Sequence, residues 1–386
     1  MARKMKDSGI EWIGEIPEGW EVGQIGQLYS ERRTKVSDKD YPPLSVTMKG
    51  ILPQLSTAAK TDAHDDRKLV CKGDFAINSR SDRRGSCGIS EQDGSISLIN
   101  TVLQPRREMN PGYYNWLFHT SLFADEFYKW GHGIVDDLWT TGWSDMKKIG
   151  VPVPSKCEQK QLAEHLNFEC SNIDTILSKT RSSIEEYKKL KQAVITQAVT
   201  KGVRGEREMK NSGVEWIGEI NHRFSLIKLK YICSILDQYR KPISADKRSQ
   251  SGSILYDYYG ASGAIDKIDD YTIDDHVMLI GEDGANLRMR NLPLMYEVNG
   301  KAWINNHAHI LKPTERVDFY YLFYALEGLD INPYITGSAQ PKLSQEKLQN
   351  IWVPLPDFEE QQEIATYIRS KCAEIDKLIA KKEQLV

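Results

Sequence analysis

A chain of 386 residues, 40% hydrophobic and 27% charged with a net charge of −3, has the makeup of a folded, soluble protein with room for two or three domains. It has no apolar run near the ~20 residues of a membrane span, and residues 1–16 lack the apolar core of a secretion signal. Six cysteines (71, 87, 157, 170, 233, 372) form no CxxC pair, so reduced thiols in a cytoplasm are expected rather than a structural metal site, and the mild acidity leaves nucleic-acid binding open, because a local basic face decides that.

In chain order, the first signal is a repeat. MKDSGIEWIGEI (5–16) returns as MKNSGVEWIGEI (209–220), identical at ten of twelve positions. Each copy opens a region whose punctuation agrees although its sequence does not. In the first, an apolar strand 74–77 leads into an Arg-rich loop, 79–86. A hairpin turned at Asp93-Gly94 is expected next, with a return strand 96–103 ending in Pro105. In the second, the strand is 277–280, the loop 281–291, the turn Asn299-Gly300 and the return strand 303–311, ending in Pro313. A short aromatic helix follows in each (113–118 and 319–324), then a second loop (131–142 and 337–342) and a Pro-rich exit (151–154 and 353–356).

The exits lead into long helices. Ser155 with Glu158, and Asp357 with Glu360, have capping-box spacing. From 155 to about 201 apolar residues recur at heptad-like spacing without Gly or Pro, a rod of roughly 60 Å with one apolar stripe. A shift of 202 aligns Leu162 with Ile364, Leu166 with Ile368, Ile173 with Ile375 and Leu177 with Ile379, so the second helix repeats the first; the copy stops at Val386, opposite Ile184, and the distal spacer is expected to be either short or truncated. Leu166, Ile173, Leu177, Ile184, Ile368 and Ile375 are expected to form the helix–helix core. The expected fold is mixed α/β, an internal duplication with pseudo-two-fold symmetry: domain 1–154, central spacer helix 155–204, domain 205–356 and distal spacer helix 357–386, the helices antiparallel as a coiled coil. Two readers held apart by a spacer suit a target repeating along a line, as DNA does.

The strings MKDSGIEWIGEIPEGW, WSDMKKIGVPVPSKCEQKQLAEHL, KQAVITQAVTKGV, YYGASG, WINNHAHILKP, GSAQPKLSQEKLQNIWVPLP and EEQQEIATYI resemble the specificity (S) subunit of type I restriction–modification systems, in the family's order and over nearly the whole chain. The resemblance implies two target-recognition domains, each reading half of a bipartite double-stranded DNA sequence. It also implies two helices that act as ruler and as docking site for two methyltransferase (M) subunits, with restriction (R) subunits in the larger complex. The family's S subunit has no catalysis of its own, so this chain is expected to bind no cofactor; S-adenosylmethionine, ATP and Mg2+ belong to partner subunits. Service to a methyltransferase alone, or to another restriction class, is the nearest alternative, and a protein-only coiled-coil scaffold a more distant one.

Enzyme motifs are missing. No GxxxxGK[ST] is present, and Asn332-Pro333-Tyr334 reads as a helix-ending turn rather than an adenine methyltransferase motif. His307-Ala308-His309 could present two imidazoles on one face of a strand, but no third ligand is spaced to join them, so a structural or DNA-proximal role is expected. For DNA contact, Arg80, Arg83 and Arg84 are the candidates in the first domain, with Gly85 and Gly88 allowing close backbone approach; Arg forks grip phosphate or read guanine. Asn286, Arg288, Arg290 and Asn291 hold the equivalent loop of the second domain, and Gln340 and Lys342 its second loop. Tyr258 and Tyr259 read more readily as core aromatics, and His132 and Trp139 are weaker candidates.

Overall fold

The structure is a computed structural model that describes residues 3–54, 65–80, 83–133, 139–205, 208–244, 248 and 254–386. The middle of the Arg-rich loop (81–82), part of loop 131–142 (134–138) and the end of the inter-domain stretch (206–207) lie outside the described residues. The fold is mixed α/β, as expected, and divides into two compact units, Met1–Thr175 and Ile176–Val386.

The sequence repeat is a structural repeat. Met5–Asp7 pairs antiparallel with Glu15–Pro17, and Met209–Asn211 with Glu219–Asn221. In each, a serine amide closes the loop on a glycine carbonyl (Ser8 to Gly14, 3.0 Å; Ser212 to Gly218, 2.9 Å). Both loops need left-handed glycines, Gly9 and Gly14 at φ 72° and 65°, Gly213 and Gly218 at 76° and 70°, which explains the repeated spacing.

The Pro-rich exits, which cannot be helical, are short strands: Gly150–Val153 pairs with Glu21–Gln24, and Trp352–Leu355 with Ser225–Lys228. A buried glutamine then locks each helix start to the aromatic helix beside it. Gln159 donates to the Pro154 carbonyl at 2.9 Å and accepts from the Asn110 amide at 3.0 Å. Gln361 does the same with Pro356 (3.0 Å) and Asp318 (2.9 Å). Asn110 and Asp318 are themselves the N-caps of Pro111–Phe118 and Phe319–Gly328. Tyr113 and Tyr321 complete the match, their hydroxyls donating to the carbonyls of Pro152 and Pro354. Gln159 and Gln361 lie 202 positions apart, the same offset as the helix repeat.

The sheets depart from the expected hairpins. In the first unit one sheet runs in the order Cys87–Ile89, Phe75–Asn78, Asn100–Pro105, Tyr29–Glu31, and a second in the order Gly94–Ile96, Arg67–Val70, Lys35–Val36. The expected return strand 96–103 is therefore two strands in two sheets, and Asp93-Gly94 turns no hairpin; Asp93 instead accepts the Lys72 amide at 2.8 Å. In the second unit a six-stranded sheet runs Cys233–Ile235, Ala308–Pro313, Ile273–Gly281, Met295–Ile304, Tyr256–Gly260, Gly263–Ile268. Asn299-Gly300 lies inside the strand Met295–Ile304, paired opposite His276 and Asp275, so the turn expected there is absent. Gly300 takes φ 97° within an unbroken ladder, a left-handed backbone that glycine adopts without strain.

The central helix is Lys156–Lys201 and the distal helix Phe358–Glu383. The Ser155 hydroxyl accepts the Glu158 amide at 3.4 Å, and Asp357 accepts that of Glu360 at 2.8 Å. Within the second unit the end of the central helix and the distal helix run antiparallel: Lys191 meets Asp376 at 2.8 Å, and Lys382 lies over the Tyr187 ring. Ile195, Ala198 and Val199 share a core cluster with Ile364, Ile368 and Ile375. Ile184, Ile368 and Ile375 are buried as expected, and Leu177 is half-buried. Leu166 and Ile173 are not core: they are 36% and 53% exposed, while the aromatic helix Pro111–Phe118 covers other positions of the same stretch, Ala163 and Asn167.

Candidate nucleic-acid interface

In the first unit the Arg-rich loop leaves the buried strand Phe75–Asn78. The Asn78 side chain accepts the Arg80 amide (3.0 Å) and the Tyr128 hydroxyl donates to the Arg80 carbonyl (2.9 Å), so the Arg80 backbone is held while the Arg80 and Arg83 side chains are exposed. A backbone bridge from Arg80 to Thr140 ties the loop to the second one. Arg84 differs: it pairs with Asp125 and its guanidinium stands 5.6 Å from the Tyr128 ring centre. Gly85 is open and at φ 76°, but Gly88 is closed. A Cβ there would meet the Gly50 Cα at 2.8 Å, so the close approach that Gly88 allows is to the chain's own hairpin. Trp139 donates to the Tyr128 carbonyl at 2.9 Å, and His132 lies 3.4 Å from Asp145.

In the second unit the two candidate loops meet. The Gly284 amide donates to Pro341 (3.0 Å), the Leu343 amide to Glu282 (2.7 Å), and Asp283 bridges Lys342. Arg288 reaches across to the Ile335 carbonyl at 3.1 Å. Gln340 and Asn291 are exposed, and the Lys342 ammonium sits 3.1 Å from Glu282 with half its side chain in solvent.

Two candidates are turned inward. Asn286 clasps its own loop, donating to Leu292 and Pro293 and accepting the Leu292 amide at 2.9 Å. Arg290, at the left-handed φ of 50°, donates to the carbonyls of Glu327 (2.9 Å) and Leu329 (2.6 Å) at the end of the aromatic helix; burial pulls its guanidinium below the ordinary value. Glu327 beside it is pushed up by burial, opposed by the amides of Leu294 and Met295. Tyr258 is buried and Tyr259 half-buried.

Arg240 and Glu282, missed in sequence, lie under these loops together with His309 of the His-x-His pair. Arg240 binds Glu282 at 2.5 Å and Asp237 at 3.1 Å; His309, 1% exposed, faces Asp237 through Nδ1 (2.6 Å) and the Leu343 carbonyl through Nε2 (2.8 Å). Burial acts to raise Glu282, but Arg240 and Lys342 outweigh it and hold the carboxyl below its usual range. His307 is in the turn before its strand, paired to Asp283 at 2.7 Å, so it does not share a strand face with His309. Among the described residues no three His, Cys, Asp or Glu side chains are grouped to hold a metal ion. Asn332–Tyr334 is a turn of 3-10 helix just after the aromatic helix. No helix of the described residues is long and apolar enough to cross a membrane. What the loops offer is positive charge and amide or guanidinium hydrogen bonding on a rigid base, the chemistry of phosphate and base-edge contact.

Residues 222–385 match the family model described as the type I restriction modification DNA specificity domain. Over 94% of its length the chain is 25% identical to the type I restriction enzyme MjaVIII specificity subunit of Methanocaldococcus jannaschii, covering 88% of that protein. A 159-residue stretch is 32% identical to a Haemophilus influenzae chain named as a type I restriction enzyme specificity subunit, and spans 37% of that relative. Two solved structures share the fold. One, from work on complex assembly and conformational transition of the type I R-M system, superposes at a TM-score of 0.72 with 13% identity over 96% of this chain and 94% of that one. The other, the HsdS subunit from Thermoanaerobacter tengcongensis, gives 0.55 with 16% identity over 96% and 92%.

Proposed function

Through residues 222–385 the chain belongs to the type I restriction modification DNA specificity family, and on that premise we propose that it is the DNA-reading subunit of a type I restriction–modification complex. Each of its two duplicated domains reads one half of a split target. The observation that carries this reading is a frame that repeats while its loops differ. The glycine-looped hairpin, the exit strand, the glutamine lock and the aromatic helix recur in both units. The loops mounted on them present Arg80 and Arg83 in one unit and Arg288, Asn291, Gln340 and Lys342 in the other. A fixed frame with variable cationic and amide loops is suited to reading two unlike half-sites, with phosphate contacts positioning the chain and a few base contacts specifying it.

The chain supplies recognition and no catalysis. Two methyltransferase subunits dock on its helices, and restriction subunits join them; S-adenosylmethionine, ATP and Mg2+ act in those partners. The test is methylome sequencing of a methylation-free host carrying this gene with its neighbouring methyltransferase gene. The expected result is N6-methyladenine at one motif of two short blocks separated by a fixed gap. Methylation at an undivided motif, or none although both proteins are made and copurify, would refute the reading.

A further inference from the structure

One end of the six-stranded sheet in the second unit gathers four chain segments around a largely covered chain of charges. Asp237 and Arg240 come from the turn of 3-10 helix Asp237–Tyr239 and the residue after it, Glu282 and Asp283 from the end of the strand Ile273–Gly281, His307 and His309 from the turn and start of Ala308–Pro313, and Lys342 from the second loop. Glu282 sits at the centre, 16% exposed, with Arg240 at 2.5 Å on one side and Lys342 at 3.1 Å on the other. Arg240 also reaches Asp237, and Asp237 fixes His309, whose second nitrogen faces the Leu343 carbonyl next to Lys342. Backbone bonds brace the same four segments: Glu282 to His307 at 2.8 Å, Leu343 to Glu282 at 2.7 Å, Ile310 to the Asp237 carboxylate at 3.1 Å.

Stability alone does not call for this arrangement. Taking charges out of water costs several kcal/mol per ion, and apolar side chains of similar volume generally hold a fold as well. What a directional ionic chain adds is a fixed geometry among the segments it joins. Its Lys342 end reaches the surface, and beside it stands the His307 ring, paired to Asp283 and tied to Glu282 through the backbone; each is about half exposed. Glu282 accepts from one side of the Lys342 ammonium, which carries three donors in all.

We propose that Arg240, Glu282 and His309 are positioning residues for specificity: they set the spacing of the loops 281–291 and 337–342 and aim Lys342 and His307 at the DNA half-site read by this unit. This inference rests on the DNA-reading function proposed above. It commits His307 and Lys342 to one surface and assigns the buried groups no contact with DNA.

The test uses the full chain assembled with its methyltransferase and duplexes carrying the methylated motif, or that motif with single base changes in either half. Glu282→Gln is expected to lower discrimination against changes in one half-site by about tenfold, the order a single misaligned base contact carries. Discrimination at the other half-site and affinity for random duplex should be unchanged. Arg240→Lys, which keeps the charge and loses the fork, should act in the same direction at the same half-site. Val277→Ala, a cavity in the same strand but outside the network, supplies the control for lost stability. The assignment is overturned if Glu282→Gln and Arg240→Lys keep full discrimination, or if Val277→Ala at a matched melting temperature loses as much. A wild-type complex that discriminates at neither half-site would overturn the DNA-reading function itself, and the positioning role with it.

Discussion

Replacing Gln361 by methionine tests whether the repeated glutamine lock holds the second unit together. The side chain is 1% exposed and makes two hydrogen bonds, to the Pro356 carbonyl and from the Asp318 amide. Methionine fills nearly the same volume, so the cavity contribution is small, but both backbone groups lose their side-chain partner in a place water does not reach. An orphaned buried donor or acceptor costs about 1–3 kcal/mol, so the pair amounts to about 2–6 kcal/mol. That is well above the ~1 kcal/mol of an average substitution and a large part of the 5–15 kcal/mol that holds a domain folded. Urea unfolding followed by circular dichroism measures it, with the change taken from the midpoint at constant slope. Gln361→Glu still accepts the Asp318 amide but sets a buried carboxylate against the Pro356 carbonyl, so it should lose at least as much. A loss below about 1 kcal/mol for Gln361→Met would refute the reasoning, since it would mean that the two backbone groups find water or each other.

Gln159→Met should have the matching effect on the first unit, because its two bonds have the same partners in the repeat. Arg80→Ala in the assembled complex should weaken DNA binding and lower the salt slope by about one, whereas Arg84→Ala, whose guanidinium is already held by Asp125 and Tyr128, should change it less; equal effects in a salt titration would contradict the distinction. Glu158 is held at about 2, first by Arg3 and then by Ser155. A carboxyl depressed in the folded state stabilises above its unfolded value and loses that contribution as pH falls toward about 2, so Glu158→Gln should flatten the acid limb of the stability curve below about pH 4.3, and an unchanged limb would count against the pairing. Burial pushes the Cys87 and Cys233 thiols up to about 12, so a thiol reagent at pH 8 should modify the exposed Cys157 first and reach those two only on unfolding.

Much of this architecture is written locally. The Pro-rich exits, the Ser155 and Asp357 caps and the aromatic helices depend on near neighbours in the chain, and spacing alone places them; the repeat at 5–16 and 209–220 is equally legible, though not its form as a hairpin. The family resemblance in the motifs added the function, which no composition or periodicity carried. Tertiary structure decided the rest. Asn299-Gly300 has the best local turn chemistry in the second unit, yet pairing along the whole of Met295–Ile304 overrides it. Leu166 and Ile173 share the spacing of Ile184, but an apolar stripe is buried only where another helix lies against it, and that depends on residues almost two hundred positions away. The same distance hid the site. Arg288 and Arg290 look alike in a loop, and only the fold turns Arg290 inward to cap the aromatic helix. Arg240 and Glu282 carry no local signal at all, and His309 showed only as half of a His-x-His pair, because a charge network exists only once four separated segments reach one end of a sheet.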